Sequence, residues 1–124
     1  MSNQVISIID DDEPTRSAVA ALMRAKGFAP STFESAECFL DAKAQDISQC
    51  IITDIFMAGL SGIELKQRLN DEHCIVPVIM ISARLEDRLE IMARDAGAFC
   101  VLRKPFKALA LIHCVEKALN QSGP

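Results

Sequence analysis

Cys50-Ile51-Ile52-Thr53-Asp54-Ile55-Phe56-Met57 is the stretch on which the reading of the chain turns. Its apolar, β-branched run predicts a strand buried on both faces. The run delivers a carboxylate, Asp54, to the strand end. A carboxylate there is costly unless a cation or hydrogen-bond donors meet it. Other apolar runs also lead to polar groups. Val5 to Ile9 is followed by Asp10 and Asp11, Val76 to Ile81 by Ser82, and Phe99 to Leu102 by Arg103 and Lys104.

Helical segments separate these runs. Asp12 or Glu13 caps the first helix, Pro14 suits its first turn, Val19, Leu22 and Met23 form its apolar stripe, and Gly27 ends it. Phe28 to Phe33 is a weaker strand, and Pro30 within it predicts an edge position or an early break. Ser35 caps a second helix with Phe39 and Leu40 facing inward. Ala58 to Gly62 reads as a loop, and Ser61 with Glu64 forms a capping-box pattern for a third helix ending near Asn70. The fourth helix carries Leu85, Leu89, Met92 and Ala96 and stops at Gly97. The fifth carries Ala108, Ile112, Val115 and Leu119, and Gln121 to Pro124 reads as a frayed end or the start of a linker. Strand and helix thus alternate five times, which predicts an α/β fold with a five-stranded parallel sheet covered by helices on both faces. In such folds ligands bind beyond the carboxyl ends of the strands. Asp10, Asp11, Asp54, Ser82 and Lys104 all fall at such ends.

The bulk numbers agree with one ordered domain spanning residues 1–124: half the residues are hydrophobic. A net charge of −4 argues against direct nucleic-acid contact by this chain. No apolar run has membrane-spanning length, and Met1 to Gln4 do not begin a signal peptide, so a soluble, cytoplasmic protein is expected. Five cysteines, an odd number without a C-x-x-C pair, predict reduced, buried thiols. His73-Cys74 and His113-Cys114 match no common zinc spacing. Met57, Met80 and Met92 read as packing residues, and His73 and His113 as surface polar groups.

Three carboxylates at one sheet edge repel one another, and a hard divalent cation, Mg2+ or Mn2+, offsets that repulsion. Lys104 adds a compact positive charge and Ser82 a hydroxyl donor. Such a site is equipped to stabilise a transferring phosphoryl group, with Asp54 as the nucleophile.

The stretches Ile8-Ile9-Asp10-Asp11-Asp12-Glu13-Pro14, Thr53-Asp54-Ile55-Phe56-Met57, Ser61-Gly62-Ile63-Glu64-Leu65, Ile81-Ser82-Ala83, Ala96-Gly97-Ala98 and Lys104-Pro105-Phe106, in this order and spacing, resemble the CheY-like receiver domain of two-component response regulators. The acidic run and the Gly-Ala and Lys-Pro-Phe endings look most like FixJ-type receivers. The resemblance covers almost the whole chain and implies a single (βα)5, flavodoxin-like three-layer sandwich. It implies that Asp54 accepts a phosphoryl group from a histidine kinase, a phosphotransfer protein or a small phosphodonor. Asp11 would ligate the metal directly, Asp10 through water, and the backbone carbonyl of Phe56 would complete the protein's ligands. Ser82 and Lys104 would engage the phosphoryl group, and Lys104-Pro105 would be a cis peptide.

The resemblance further implies a switched surface on the fourth helix, fifth strand and fifth helix. That surface would mediate homodimerisation or control an output domain, a DNA-binding transcription regulator being one such output. The chain would be a signalling acceptor rather than an enzyme. Four positions depart from or tune the pattern. Ala58 stands where proline is frequent, Val101 stands where an aromatic often relays the switch, and Phe56 and Arg84 occupy positions that set water access to the phosphate. Phe99 is the nearest aromatic to Val101 in sequence, but its facing is wrong for a substitute. A haloacid-dehalogenase-like phosphatase would need an acid where Phe56 stands, and a flavodoxin-like flavin binder would need a Ser/Thr/Gly loop where Asp10 to Glu13 stand. A constitutive interaction module without phosphorylation is the remaining alternative.

Overall fold

Alternating side chains of each apolar run point to opposite faces of one sheet, so both faces must be covered. The computed structural model describes residues 4–121, Gln121 by its backbone. The strands are β1 (Val5–Ile9), β2 (Ala29–Phe33), β3 (Cys50–Asp54), β4 (Val78–Ser82) and β5 (Cys100–Arg103). The helices are α1 (Glu13–Ala25), α2 (Ala36–Asp41), α3 (Gly62–Asp71), α4 (Asp87–Asp95) and α5 (Ala108–Gln121). All neighbouring strands are parallel, in the order β2-β1-β3-β4-β5.

Ile6, Ile8, Cys50, Ile52, Ile79 and Ile81 pack with Val19, Ala20 and Met23 of α1 and Leu111, Val115 and Ala118 of α5. On the other face, Ile9, Ile51, Ile55, Val78 and Met80 pack with Phe39, Ile63, Leu65, Leu69 and Ala93 of α2, α3 and α4. The result is a three-layer α/β sandwich of the flavodoxin-like kind. Each fully buried aliphatic side chain contributes on the order of 2 kcal/mol, so the central strands hold the fold.

Local signals act as the residue types require. Asp12 caps α1 through the Thr15 amide, with proline in the first turn. Ser35 caps α2 through the Cys38 amide, and Ser61 and Glu64 form a reciprocal capping box on α3. Gly27 and Gly97 take positive φ, +88° and +105°, where α1 and α4 turn into the next strands. The strand holding Pro30 is an edge strand. Val101 pairs with Met80 and faces the α3–α4 side, whereas Phe99 packs on the α1–α5 side.

Several expectations shift in phase. The strand expected from Phe28 begins at Ala29, and the one expected from Val76 begins at Val78, after Pro77, which has no N–H to donate. Its carbonyl still accepts from the Ile51 amide at 3.0 Å. The run expected at Phe99–Leu102 becomes Cys100–Arg103. Leu85 is buried but precedes α4, so the helical period runs through Leu89, Ala93 and Ala96, and Met92 is half exposed rather than packed. In α5, Ala108 is exposed, and Leu111 and Ala118 join Ile112 and Val115 on the inner face. All five cysteines are free, but only Cys50 is fully buried and Cys38 is exposed. α5 extends to Gln121; residues 122–124 of the expected tail lie outside the described residues.

The fold also ties α3 to α4. Lys66 Nζ donates to Asn70 Oδ1 at 2.7 Å, and Asn70 Nδ2 donates to the Ala96 carbonyl at 2.7 Å, closing the C-terminal end of α4. Burial lowers the pKa of Lys66. The start of α3 is equally constrained: an added Cβ at Gly62 would collide with the backbone carbonyl of Asp54. Gly62→Ala is therefore expected to destabilise the domain by about 1–3 kcal/mol, as overpacking against unyielding atoms does. Urea unfolding checks this, and an unchanged midpoint would remove the close approach as a constraint.

Candidate functional site

Register brings the strand ends together. Ile9 pairs with Thr53, Asp54 with Ile81, and Ser82 with Arg103. Asp10, Asp54, Ser82 and Lys104 therefore emerge at one edge of the sheet, with Asp11 beside them. The Lys104 amide donates to the Ser82 carbonyl at 2.8 Å, which fixes where the lysine side chain starts. The Lys104-Pro105 peptide is cis.

Lys104 Nζ lies 3.0 Å from Asp10 Oδ2 and 3.1 Å from Asp54 Oδ2, bridging two carboxylates that are almost wholly buried. The other Asp10 oxygen accepts from the Asp12 amide at 2.9 Å. Arg16, from α1, donates to the Asp10 carbonyl at 2.7 Å. Both oxygens of Asp10 are thus engaged within the protein, whereas Asp11 is exposed. Ser82 is fully buried, and its hydroxyl oxygen accepts from the Arg84 amide at 3.1 Å. Asp11, Asp54, Phe56, Met57, Ser61, Ala83 and Arg84 line an open cleft of about 420 Å³ over this edge.

One lysine cannot neutralise this group of acids. Burial first, then the Asp10 charge, raises the pKa of Asp54; Lys104 and the Phe56 amide oppose the shift without cancelling it. For Lys104, burial acts downward, but its hydrogen bonds and charge contacts with Asp10 and Asp54 win and raise its pKa. Carboxylate oxygens of Asp10, Asp11 and Asp54 lie within 4.8 Å of one another. Hard oxygen donors carrying excess negative charge, two of them facing an open cleft, fit an oxyphilic divalent cation.

The acids, Ser82 and Lys104 stand out in the sequence, whereas their supports do not: the hydrogen bonds that Arg16 and the Asp12 amide make to Asp10, and the role of Glu37, emerge only in the fold. Glu37 Oε2 accepts from the Leu60 amide at 2.8 Å, in the loop that follows Asp54. In the sequence Glu37 looks like an ordinary first-turn helix acid. Only the fold brings α2 beside that loop.

The raised pKa of Asp54 has a definite consequence for stability. The folded state holds this proton more tightly than the unfolded chain does. Its favourable contribution is complete below the ordinary value of 3.8 and is lost as pH rises through the raised value. At pH 7 and without divalent cations, Asp54→Asn is expected to melt a few degrees above the unchanged protein. The gap should close as pH falls below the ordinary carboxylate range. Thermal melts across pH check this, and a lower melting temperature for the variant at pH 7 contradicts it.

Comparison with known proteins places this geometry. Residues 6–116 match the response regulator receiver domain family. The chain is 34% identical over 119 residues to the transcriptional regulatory protein FixJ of Rhizobium meliloti, covering 95% of this chain and 58% of that protein. It is 36% identical over 118 residues to FixJ of Azorhizobium caulinodans, covering 95% of this chain and 56% of that one. It superposes on the crystal structure of FixJ-N with a TM-score of 0.89 and 33% identity, covering 100% of this chain and 99% of that one. On full-length FixJ from B. japonicum the TM-score is 0.90 at 32% identity, covering 100% of this chain and 61% of that one. The chain thus spans a little over half the length of these curated relatives. With the acidic cluster and its lysine at the carboxyl edge of a five-stranded parallel sheet, the chain belongs to the response regulator receiver domain family, CheY-like in fold and closely related to FixJ-type receivers.

Proposed function

We propose that this receiver domain is a phosphorylatable switch whose acceptor is Asp54. The observation that carries the reading is the Lys104 bridge between Asp10 and Asp54, beside the exposed Asp11, over an open cleft. The donor is a phosphohistidine of a histidine kinase or phosphotransfer protein, or a small phosphodonor. An Asp54 oxygen attacks phosphorus, the O–P bond forms as the P–N bond breaks, and the departing imidazole keeps the bonding pair. Asp11, Asp54 and the Phe56 carbonyl would hold Mg2+ (or Mn2+), with Asp10 reaching it through water, since its own oxygens are already engaged. When bound, that cation supplies positive charge to the transferring phosphoryl oxygens. Lys104, with Nζ 3.1 Å from Asp54 Oδ2, adds a further positive charge beside the acceptor.

The modified side chain carries nearly two additional negative charges and strong acceptor oxygens. The Ser82 hydroxyl is the donor suited to meet them. Its oxygen presently anchors the Arg84 amide, so a hydroxyl drawn toward the phosphoryl group disturbs the turn that leads into α4. Lys104, tied by its amide to the Ser82 carbonyl, links the same event to the end of β5. Val101 faces α4 beside Met80 and gives the relay a small aliphatic side chain in place of an aromatic one. The output surface is α4–β5–α5. Its mixed charge includes the Arg94–Glu90 pair, and Ile91 and Met92 expose apolar area among those charges. Such a surface suits homodimerisation or regulated contact with an output domain. Relatives called transcriptional regulatory proteins extend well beyond the matched region, which supports a DNA-binding output. No described helix is long and apolar enough to cross a membrane.

Incubation with acetyl phosphate and Mg2+ should add one phosphoryl group by intact mass, and Asp54→Asn should abolish the gain. A folded, Mg2+-binding protein that gains no mass would instead favour a constitutive interaction module. Phe56 lines the cleft and is 48% exposed, positioned to shield the acyl phosphate from water. Phe56→Ala is expected to shorten the phosphorylated lifetime severalfold; an equal or longer lifetime refutes the shield.

A further inference from the structure

Ala58 leaves the loop after Asp54 without the rigidity of a proline at that place, yet the loop has a separate anchor. Its distal end is closed by the Gly62 amide donating to the Ile55 carbonyl at 2.9 Å and by the capping box on Ser61. Its middle is tied across the molecule: the Leu60 amide donates to Glu37 Oε2 at 2.8 Å. The neighbouring residue is Gly59, whose φ of +80° suits glycine. An added Cβ at Gly59 would stand 2.5 Å from Glu37 Oε2, so the carboxylate packs against a backbone stripped to its minimum. The hydrogen bond to the Leu60 amide, followed by one to Glu37's own amide, lowers the pKa of Glu37, a carboxylate already charged at neutral pH. A charged acceptor makes a hydrogen bond roughly twice as strong as a neutral one.

We infer that Glu37 is a positioning residue for the metal-binding loop: from α2 it holds the segment Phe56–Leu60, and through it the Phe56 carbonyl, in the place from which that carbonyl meets the cation. The inference rests on the metal-dependent acceptor reading above. A backbone carbonyl has no side-chain freedom with which to recover a lost position, so its geometry depends on what holds the loop.

Titration calorimetry with magnesium chloride on the whole chain tests this. Each variant is measured at a temperature at which circular dichroism shows it folded. Glu37→Ala should weaken Mg2+ binding about tenfold, the lower end of what supporting partners of metal ligands contribute. Glu37→Gln, which keeps an acceptor oxygen, should fall between that variant and the unchanged protein. Gly59→Ala should reproduce the loss by displacing the carboxylate with Glu37 intact. Unaltered Mg2+ affinity in Glu37→Ala overturns the inference, and so does an equal loss in Glu37→Ala and Glu37→Gln. The acetyl phosphate reaction of the unchanged protein separates the two readings. No mass gain there strikes the acceptor function, whereas a normal gain with unaltered Mg2+ affinity in Glu37→Ala strikes only the role of Glu37.

Discussion

The Asp54 carboxylate stands at the end of a strand buried on both faces, and the arrangement around it follows from that position. An ion there cannot rely on water alone. The protein meets it with Lys104, which must also serve Asp10, so positive charge is in deficit. This deficit, with oxygens of Asp10, Asp11 and Asp54 within 4.8 Å of one another, suits the edge to a divalent cation. Pairing one cation with several acids leaves strain of an electrostatic kind in the resting state, which a bound ligand can relieve.

That edge is joined to the rest of the molecule by both backbone and side-chain hydrogen bonds. Lys104 hangs from the Ser82 carbonyl, the Arg84 amide rests on the Ser82 hydroxyl, and Gly62 closes on Ile55. A change in hydrogen bonding at Ser82 therefore reaches both the turn before α4 and the end of β5. The other end of α4 is held by Asn70 and Lys66. A helix tied at its far end and governed by a turn at its near end is a suitable two-state element, because packed elements pass between discrete arrangements rather than deform smoothly.

Much of the architecture was legible because it rests on local rules. The β-branched runs, the caps at Ser35 and Ser61, and the stops at Gly27 and Gly97 each act within a few residues, whereas the choice of Asp12 over Glu13 as the first cap came from the fold. The errors arose where a periodic pattern lacked a fixed origin. Leu85 is apolar and buried but lies before α4, so counting from it turned Met92 inward and overlooked Ala93. Ala108 misled in the same way at the start of α5. Helical periodicity identifies a stripe reliably only when the first helical residue is known. The three carboxylates, the serine and the lysine were legible because each follows an apolar run, where a sheet must end.

The sequence by itself determined the order of strands and helices, the edge at which the polar residues gather, and the acidic excess of that edge. Those follow from patterning and covalent order. Tertiary structure decided which oxygen of which acid Lys104 contacts, that Asp10 is already engaged while Asp11 is open, and that Glu37 holds a loop in which it has no part in sequence. These are contacts between residues many positions apart. They depend on register and on the packing of helices against the sheet, which fix distances that no local preference encodes.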